Sequence, residues 1–91
     1  MKDIRELNGM DVYTVATGKI NIHVKASCEA VTFIAGLEGF LAVYPCPGGT
    51  LWLFDSKNHA KMARNRMKIR GIKHGKHIAR GHFEGNLLIM D

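Results

Sequence analysis

Residues 50–71 read TLWLFDSKNHAKMARNRMKIRG and contain the two elements that most clearly indicate the fold. The run at 50–54 is apolar on both faces, which is typical of a strand lying inside a sheet. Asp55 or Ser56 can cap a helix after it, because a short polar side chain accepts an otherwise unpaired backbone N–H. The helix is expected to run to about Arg70. These residues therefore predict a central strand followed directly by a basic helix.

The predicted helix has a narrow apolar seam formed by Ala60, Ala63 and Met67. At about 100° per residue, basic side chains fall on both sides of this seam. One side carries Lys57, Lys61, Arg64 and Lys68, and the other carries His59, Arg66 and Arg70. Met62 and Ile69 lie opposite the seam, which predicts a second contact surface on the outside of the helix.

Residues before this helix predict a strand, a helix and a second strand. In the run from Lys19 to Lys25, the apolar residues alternate with polar ones, which predicts a strand with one buried face; these apolar residues are Ile20, Ile22 and Val24. Residues 28–37 are interpreted as a helix capped by Ser27. Their β-branched and aromatic content makes a hairpin the alternative interpretation. Phe40 to Tyr44 predicts a strand under either interpretation.

The order of these elements predicts the fold class. From Lys19 onward it is strand, helix, strand, strand, helix, strand, with His77 to Phe83 as the last of these and Leu87 to Met90 as a further strand. Right-handed crossovers would place both helices on one face of an antiparallel sheet, so we expect an α+β ferredoxin-like plait. The run Asp11 to Ala16 is expected to add an edge strand. Residues 1–10 are interpreted as a polar lead-in, and residues 11–91 as a single domain.

Charge is distributed unevenly along the chain, which has 91 residues and a formal net charge of +5. Residues 1–56 hold four basic and six acidic groups (−2), whereas residues 57–91 hold nine and two (+7). No carboxylate occurs between Ser56 and Phe83. A local excess of positive charge favours an anionic partner, and nucleic acid is the first hypothesis. The candidate contact residues are Lys57, Lys61, Arg64, Arg66, Lys68, Arg70, Lys73, Lys76 and Arg80.

The alternative hypothesis is a protein-interaction or regulatory module that forms a homodimer or binds an acidic protein. Aromatic residues and methionine are enriched at such interfaces. The candidate contacts are Tyr44, Trp52, Met62 and Ile69. For Trp52 a second interpretation stands beside this one, because large aromatic residues in an apolar strand are usually core residues.

Catalytic and metal-binding motifs are not recognisable in the sequence. His74, His77 and His82 form one loose group, whereas structural zinc requires four ligands in paired spacing. No nucleophile, base and orienting group can be assembled from the sequence. We therefore expect no catalytic residue, no cofactor and no metal, and we predict a binding protein rather than an enzyme. A catalytic or small-molecule-binding domain that uses His23, His74 or His77 is a third hypothesis.

The sequence also predicts where the protein works. Its longest apolar run is Phe40 to Cys46, much shorter than the roughly 20 residues needed to cross a bilayer. The first residues alternate in charge and lack the apolar region of a secretory signal. We therefore expect a cytoplasmic protein that does not act at a membrane, with Cys28 and Cys46 as reduced thiols.

Overall fold

The computed structural model describes residues 2–21 and 23–91. Its elements are a short 3₁₀ turn (Ile4–Leu7), β1 (Asp11–Thr17), α1 (Lys25–Ala35), β2 (Phe40–Cys46), β3 (Gly49–Phe54), α2 (Lys57–Ile69), β4 (Ala79–Glu84) and β5 (Leu87–Met90). The strands form one five-stranded antiparallel half-barrel sheet in the order β2-β3-β1-β4-β5. The α+β class predicted from the sequence is confirmed.

Both helices pack on the same face of the sheet. Val15 of β1 lies opposite Trp52 of β3 in the antiparallel register, so their side chains share this face. The helices bury Ile34, Ala60, Ala63 and Met67 against Val15, Trp52 and Phe54. Two sequence interpretations are therefore confirmed. Residues 28–37 belong largely to a helix rather than a hairpin, and the alanine seam faces the sheet.

The opposite face of the sheet has its own small core. Leu53 of β3, Val12 of β1 and Phe83 of β4 are fully or almost fully buried there. The 3₁₀ turn covers them with Leu7, which has no exposed surface. Residues 1–10, expected only as a polar lead-in, therefore contribute a core side chain in the part that the structure describes.

The predicted ferredoxin-like plait is wrong, and its error begins at Lys19. Residues 18–21 and 23–24 lie outside any strand, and α1 begins at Lys25; Ile22 lies outside the described residues. As the second strand of a hairpin, the run from Lys19 would have to pair with β1, but both sides of β1 are occupied by β3 and β4. The run Asp11 to Ala16, expected at the sheet edge, instead belongs to the central strand β1. With β5 outside β4, the result is the five-stranded half-barrel with two helices.

Gly39 and Gly48 differ in their surroundings although both have a positive φ, +82° and +83° respectively. A Cβ atom at Gly39 would collide with the side chains of His59 and Asp55, whereas a Cβ atom at Gly48 would meet nothing within 4 Å. The backbone strain of alanine in this region costs about 1–2 kcal/mol. Overpacking at Gly39 would add about 1–3 kcal/mol.

We therefore predict that Gly39→Ala lowers the free energy of unfolding by clearly more than Gly48→Ala. Urea denaturation followed by the fluorescence of Trp52 measures both values. Equal losses in the two variants would contradict the close approach of Asp55 and His59 to Gly39.

Candidate functional site

Helix α2 presents most of the candidate residues, and its packing sets the direction of each side chain. The hydroxyl oxygen of Ser56 accepts a hydrogen bond from the backbone N–H of His59 at 3.1 Å, so it caps the first turn. Ala60, Ala63 and Met67 are buried against the sheet. The two basic sides predicted from the sequence must therefore lie on opposite flanks of the helix, one facing α1 and the other facing β4.

Six basic residues gather on the β4 side of α2, and we call this group the cationic flank. The guanidinium of Arg64 donates a hydrogen bond to the backbone carbonyl of Lys76 at 2.8 Å, which ties the helix to the segment before β4. Lys57 and Arg80 line one cavity of about 280 Å³ beside Tyr13. The members of the cationic flank are Lys57, Lys61, Arg64 and Lys68 on one side of the helix, Lys76 at the segment that Arg64 contacts, and Arg80 beside Lys57.

The other side of α2 faces α1 and is partly neutralised. The imidazole Nδ1 of His59 lies 2.6 Å from an oxygen of Asp55, and its Nε2 lies 3.5 Å from Glu38. The guanidinium carbon of Arg70 stands 4.3 Å from the centre of the Phe33 ring, a cation–π contact. Arg66 lines a pocket together with Glu38. His59 and Arg70 therefore have partners within the fold, whereas Arg66 lies beyond ion-pair distance of any described carboxylate.

The structure separates Lys73 from the cationic flank. Lys73 lines a pocket with Lys19 and Trp52 at the end of the sheet where β1 finishes. The nine candidate cations thus divide into six on the cationic flank, Arg66 and Arg70 beside α1, and Lys73 alone.

Most of the nine candidate cations have no counter-charge within ion-pair distance among the described residues. Within residues 2–21 and 23–91, eight of the nine lie beyond ion-pair distance of any carboxylate. The exception is Arg80, whose guanidinium lies 2.6 Å from a carboxylate oxygen of Asp91. Hydrogen bonding between them raises the pKa of Arg80 and lowers the pKa of Asp91. The cationic flank consequently keeps five positive groups that no described carboxylate neutralises.

The four candidate interface residues lie in three different environments. Trp52 is only 1% exposed and donates its indole N–H to the hydroxyl of Thr17 at 2.8 Å. It is therefore a core residue and is removed from the interface candidates. Tyr44 is half-buried against the ring of Phe83, on the face without helices. Met62 and Ile69, 49% and 81% exposed, form an apolar ridge on the outside of α2.

The histidines are dispersed among local partners. His74 lies 2.9 Å from the carbonyl of Ile72, and His82 lies between Asp91 and Glu84. In the part of the chain that the structure describes, no three His, Cys, Asp or Glu side chains are arranged to hold a metal ion. The same residues include no helix with the length and apolar character required to cross a membrane.

Sequence reasoning missed the group formed by Glu38, Asp55 and His59. One signal was present, because Asp55 and His59 are four residues apart, the spacing of neighbours on a helical surface. Glu38 comes from a distant loop, and nothing in the local pattern indicates its approach. Comparisons of the chain with protein-family models, curated proteins and solved structures find no match.

We predict that protonation of His59 stabilises the fold through Asp55. The hydrogen bond that Nδ1 of His59 donates to the Asp55 carboxylate, helped by the charge of Glu38, raises the pKa of His59 above its usual 6.5. Because the folded state holds this proton more tightly than the unfolded state, the stabilisation is fully present below 6.5 and disappears as pH rises through the raised pKa.

Urea denaturation at about pH 5.5 and about pH 8.5 tests this expectation on either side of the titration of histidine. In Asp55→Asn the loss of stability towards the higher pH should be smaller than in the original protein. Glu29→Gln is the control, because Glu29 forms no ion pair with a histidine in the described structure. An unchanged pH dependence in Asp55→Asn would contradict the assignment.

Proposed function

We propose that this protein is a non-enzymatic binding module that holds an anionic partner, best fitted by nucleic acid, on the cationic flank. The observation that carries the proposal is the grouping of six basic side chains on one side, five of them without a carboxylate within ion-pair distance among the described residues. A set of unneutralised cations attracts polyanions and releases their condensed counter-ions on contact.

The length of α2 agrees with a row of phosphate contacts. Lys57 and Lys68 are eleven residues apart, which corresponds to about 16 Å along a helix. Successive phosphates of one duplex strand are about 3.4 Å apart along the axis, so this row spans about five of them. The first turn of α2 carries no acidic side chain. Asp55 and Glu38 nevertheless lie beside His59 at this end of the helix, so the positive field of α2 comes from its basic side chains rather than from its N-terminus.

The same geometry supports recognition of the phosphate backbone of nucleic acid rather than of its bases. Stacking of bases needs exposed aromatic rings. Trp52 and Phe54 are buried beneath the helices, and Tyr44 packs on Phe83 on the opposite face of the sheet. Lysine side chains act on phosphates as flexible point charges, which position a protein without reading sequence. We therefore propose binding that depends little on base sequence.

An acidic protein is the second candidate partner. The ridge of Met62 and Ile69 lies on the outside of α2 between its two basic sides, so an apolar contact and a charged contact could be made together. Apolar side chains surrounded by charged ones are common at protein interfaces. Competition between an acidic peptide and nucleic acid for the same amides of α2, followed by NMR, separates this candidate from the first.

We predict that the triple substitution Lys57→Gln, Lys61→Gln and Lys68→Gln weakens binding of a short duplex DNA and flattens its salt dependence. If about four phosphates are contacted, the slope of log K against log salt is near −3.6, and it should become less steep by about 2–3 when three contacts are lost. Electrophoretic mobility shifts at about 50–200 mM salt measure the slope.

The matched control is the triple substitution Lys2→Gln, Lys19→Gln and Lys25→Gln. It changes the net charge equally at three exposed lysines outside the cationic flank. We expect this control to keep most of the original slope. Equal effects of the two triple variants would show that only net charge matters, and the absence of a shift at low salt would refute the proposed function.

A further inference from the structure

The two edges of the sheet differ in how well they are protected against pairing with another strand. The β2 edge contains Pro45, which lacks a backbone donor, and its register shifts between Phe40 and Ala42. Proline and bulges are common devices that prevent a sheet edge from pairing. The β5 edge is Leu87–Met90, which has four apolar residues, no proline, no charge and a regular register with β4. An edge of this kind is a ready template for strand addition.

The hydrogen-bonding groups of β5 alternate between β4 and the open edge. The backbone N–H of Asp91 donates to the carbonyl of Arg80 at 3.0 Å. In an antiparallel ladder, pairs that exchange hydrogen bonds alternate with pairs that do not, so Leu87 and Ile89 also bond inwards to β4. The N–H and C=O groups of Leu88 and Met90 therefore point outwards. No strand in the described part of the chain lies beyond them.

We propose that a second copy of this chain occupies the β5 edge, with the two β5 strands antiparallel about a two-fold axis at Ile89. In this register Leu88 lies opposite Met90 of the second copy, and Met90 lies opposite its Leu88. Each of these two pairs exchanges two hydrogen bonds, so four bonds form with no change in either strand. The spacing of the outward groups makes the edge complementary to itself, which is the requirement for an isologous interface.

The side chains at the β5 edge also favour pairing with a second copy. Leu87 and Met90 are 58% and 41% exposed in the single chain and would gain apolar neighbours across the dimer interface. The charged groups nearest the edge are already neutralised, because Arg80 and His82 both contact Asp91. Two chains of net charge +5 can therefore approach here with less repulsion than along α2.

The size of the contact indicates the strength of the dimer. Four residues from each copy bury less than the roughly 1,200 Å² of a typical stable interface, so the dimer is weak and depends on concentration. The two-fold axis is perpendicular to the sheet, which leaves the helices of both copies on the same face. Four strands, β4 and β5 of each copy, then lie between the two β1 strands, which places these β1 strands and the α2 helices above them about 24 Å apart.

The cationic flanks of the two copies would thus face each other across a groove whose base is formed by β4 and β5 of both copies. This consequence rests on the proposed function, whereas the pairing of β5 does not. A polyanion lying in this groove would contact both flanks at once, and its binding across the dimer interface would strengthen the dimer.

Sedimentation equilibrium of the full chain without nucleic acid tests the pairing at about 10 μM to about 1 mM, the range of a weak complex. We expect the average mass to rise from the monomer towards twice that value. Met90→Pro removes one outward N–H and leaves the ladder with β4 intact, so this variant should remain monomeric throughout. Met90→Val keeps the N–H and should still dimerise.

Amide exchange provides a second measurement if Met90→Pro fails to fold. In the original chain, protection of the Leu88 and Met90 amides should increase with protein concentration, whereas protection at Ile89 should already be high in the monomer. A chain that stays monomeric at every concentration overturns the inference, as does a Met90→Pro variant that dimerises normally. A dimer that binds no DNA contradicts only the proposed function.

Discussion

The close packing of α2 on the sheet is the constraint on which the rest of the molecule depends. Ala60 and Ala63 have almost no exposed surface, and their small side chains allow the helix to approach β1 and β3 closely. A larger side chain at either position would have to displace the core, at a cost of about 1–3 kcal/mol. Because the seam is narrow, basic residues can stand on both of its sides and still reach solvent. The orientation of the cationic flank therefore follows from two alanines.

Local patterns were sufficient for α2 and for the three strands that begin at Asp11, Phe40 and Gly49. They failed at 19–25, where apolar and polar residues alternate as they do in a strand. Whether such a segment becomes a strand depends on a free neighbour, and β1 already has β3 and β4 beside it. The sheet order is decided by pairings between residues far apart in the sequence, as between Val12 and Gly81. No pattern within a short window contains this information.

The candidate site was predictable to a similar extent. Helical projection separated the two basic sides of α2 correctly, because the apolar seam determines which direction is inward. It could not show that Arg64 reaches the carbonyl of Lys76, or that Lys73 lines a pocket with Lys19 and Trp52. The position of Trp52 was ambiguous for a different reason. Its strand is apolar on both faces, so only the placement of the helices decides which side chains they cover.

The distribution of carboxylates explains why charge remains on the cationic flank. Five of the eight acidic residues form ion pairs in the described structure: Asp3, Glu38, Asp55, Glu84 and Asp91. Their partners are Arg5, His59, His82 and Arg80, and only Arg80 belongs to the flank. The first half of the chain is acidic, yet Asp3, Glu38 and Asp55 pair with Arg5 and His59, and the charge of Asp11 acts on Arg80. Because no described carboxylate lies within ion-pair distance of Lys61 or Lys68, their charge is balanced by solvent ions or by a bound polyanion.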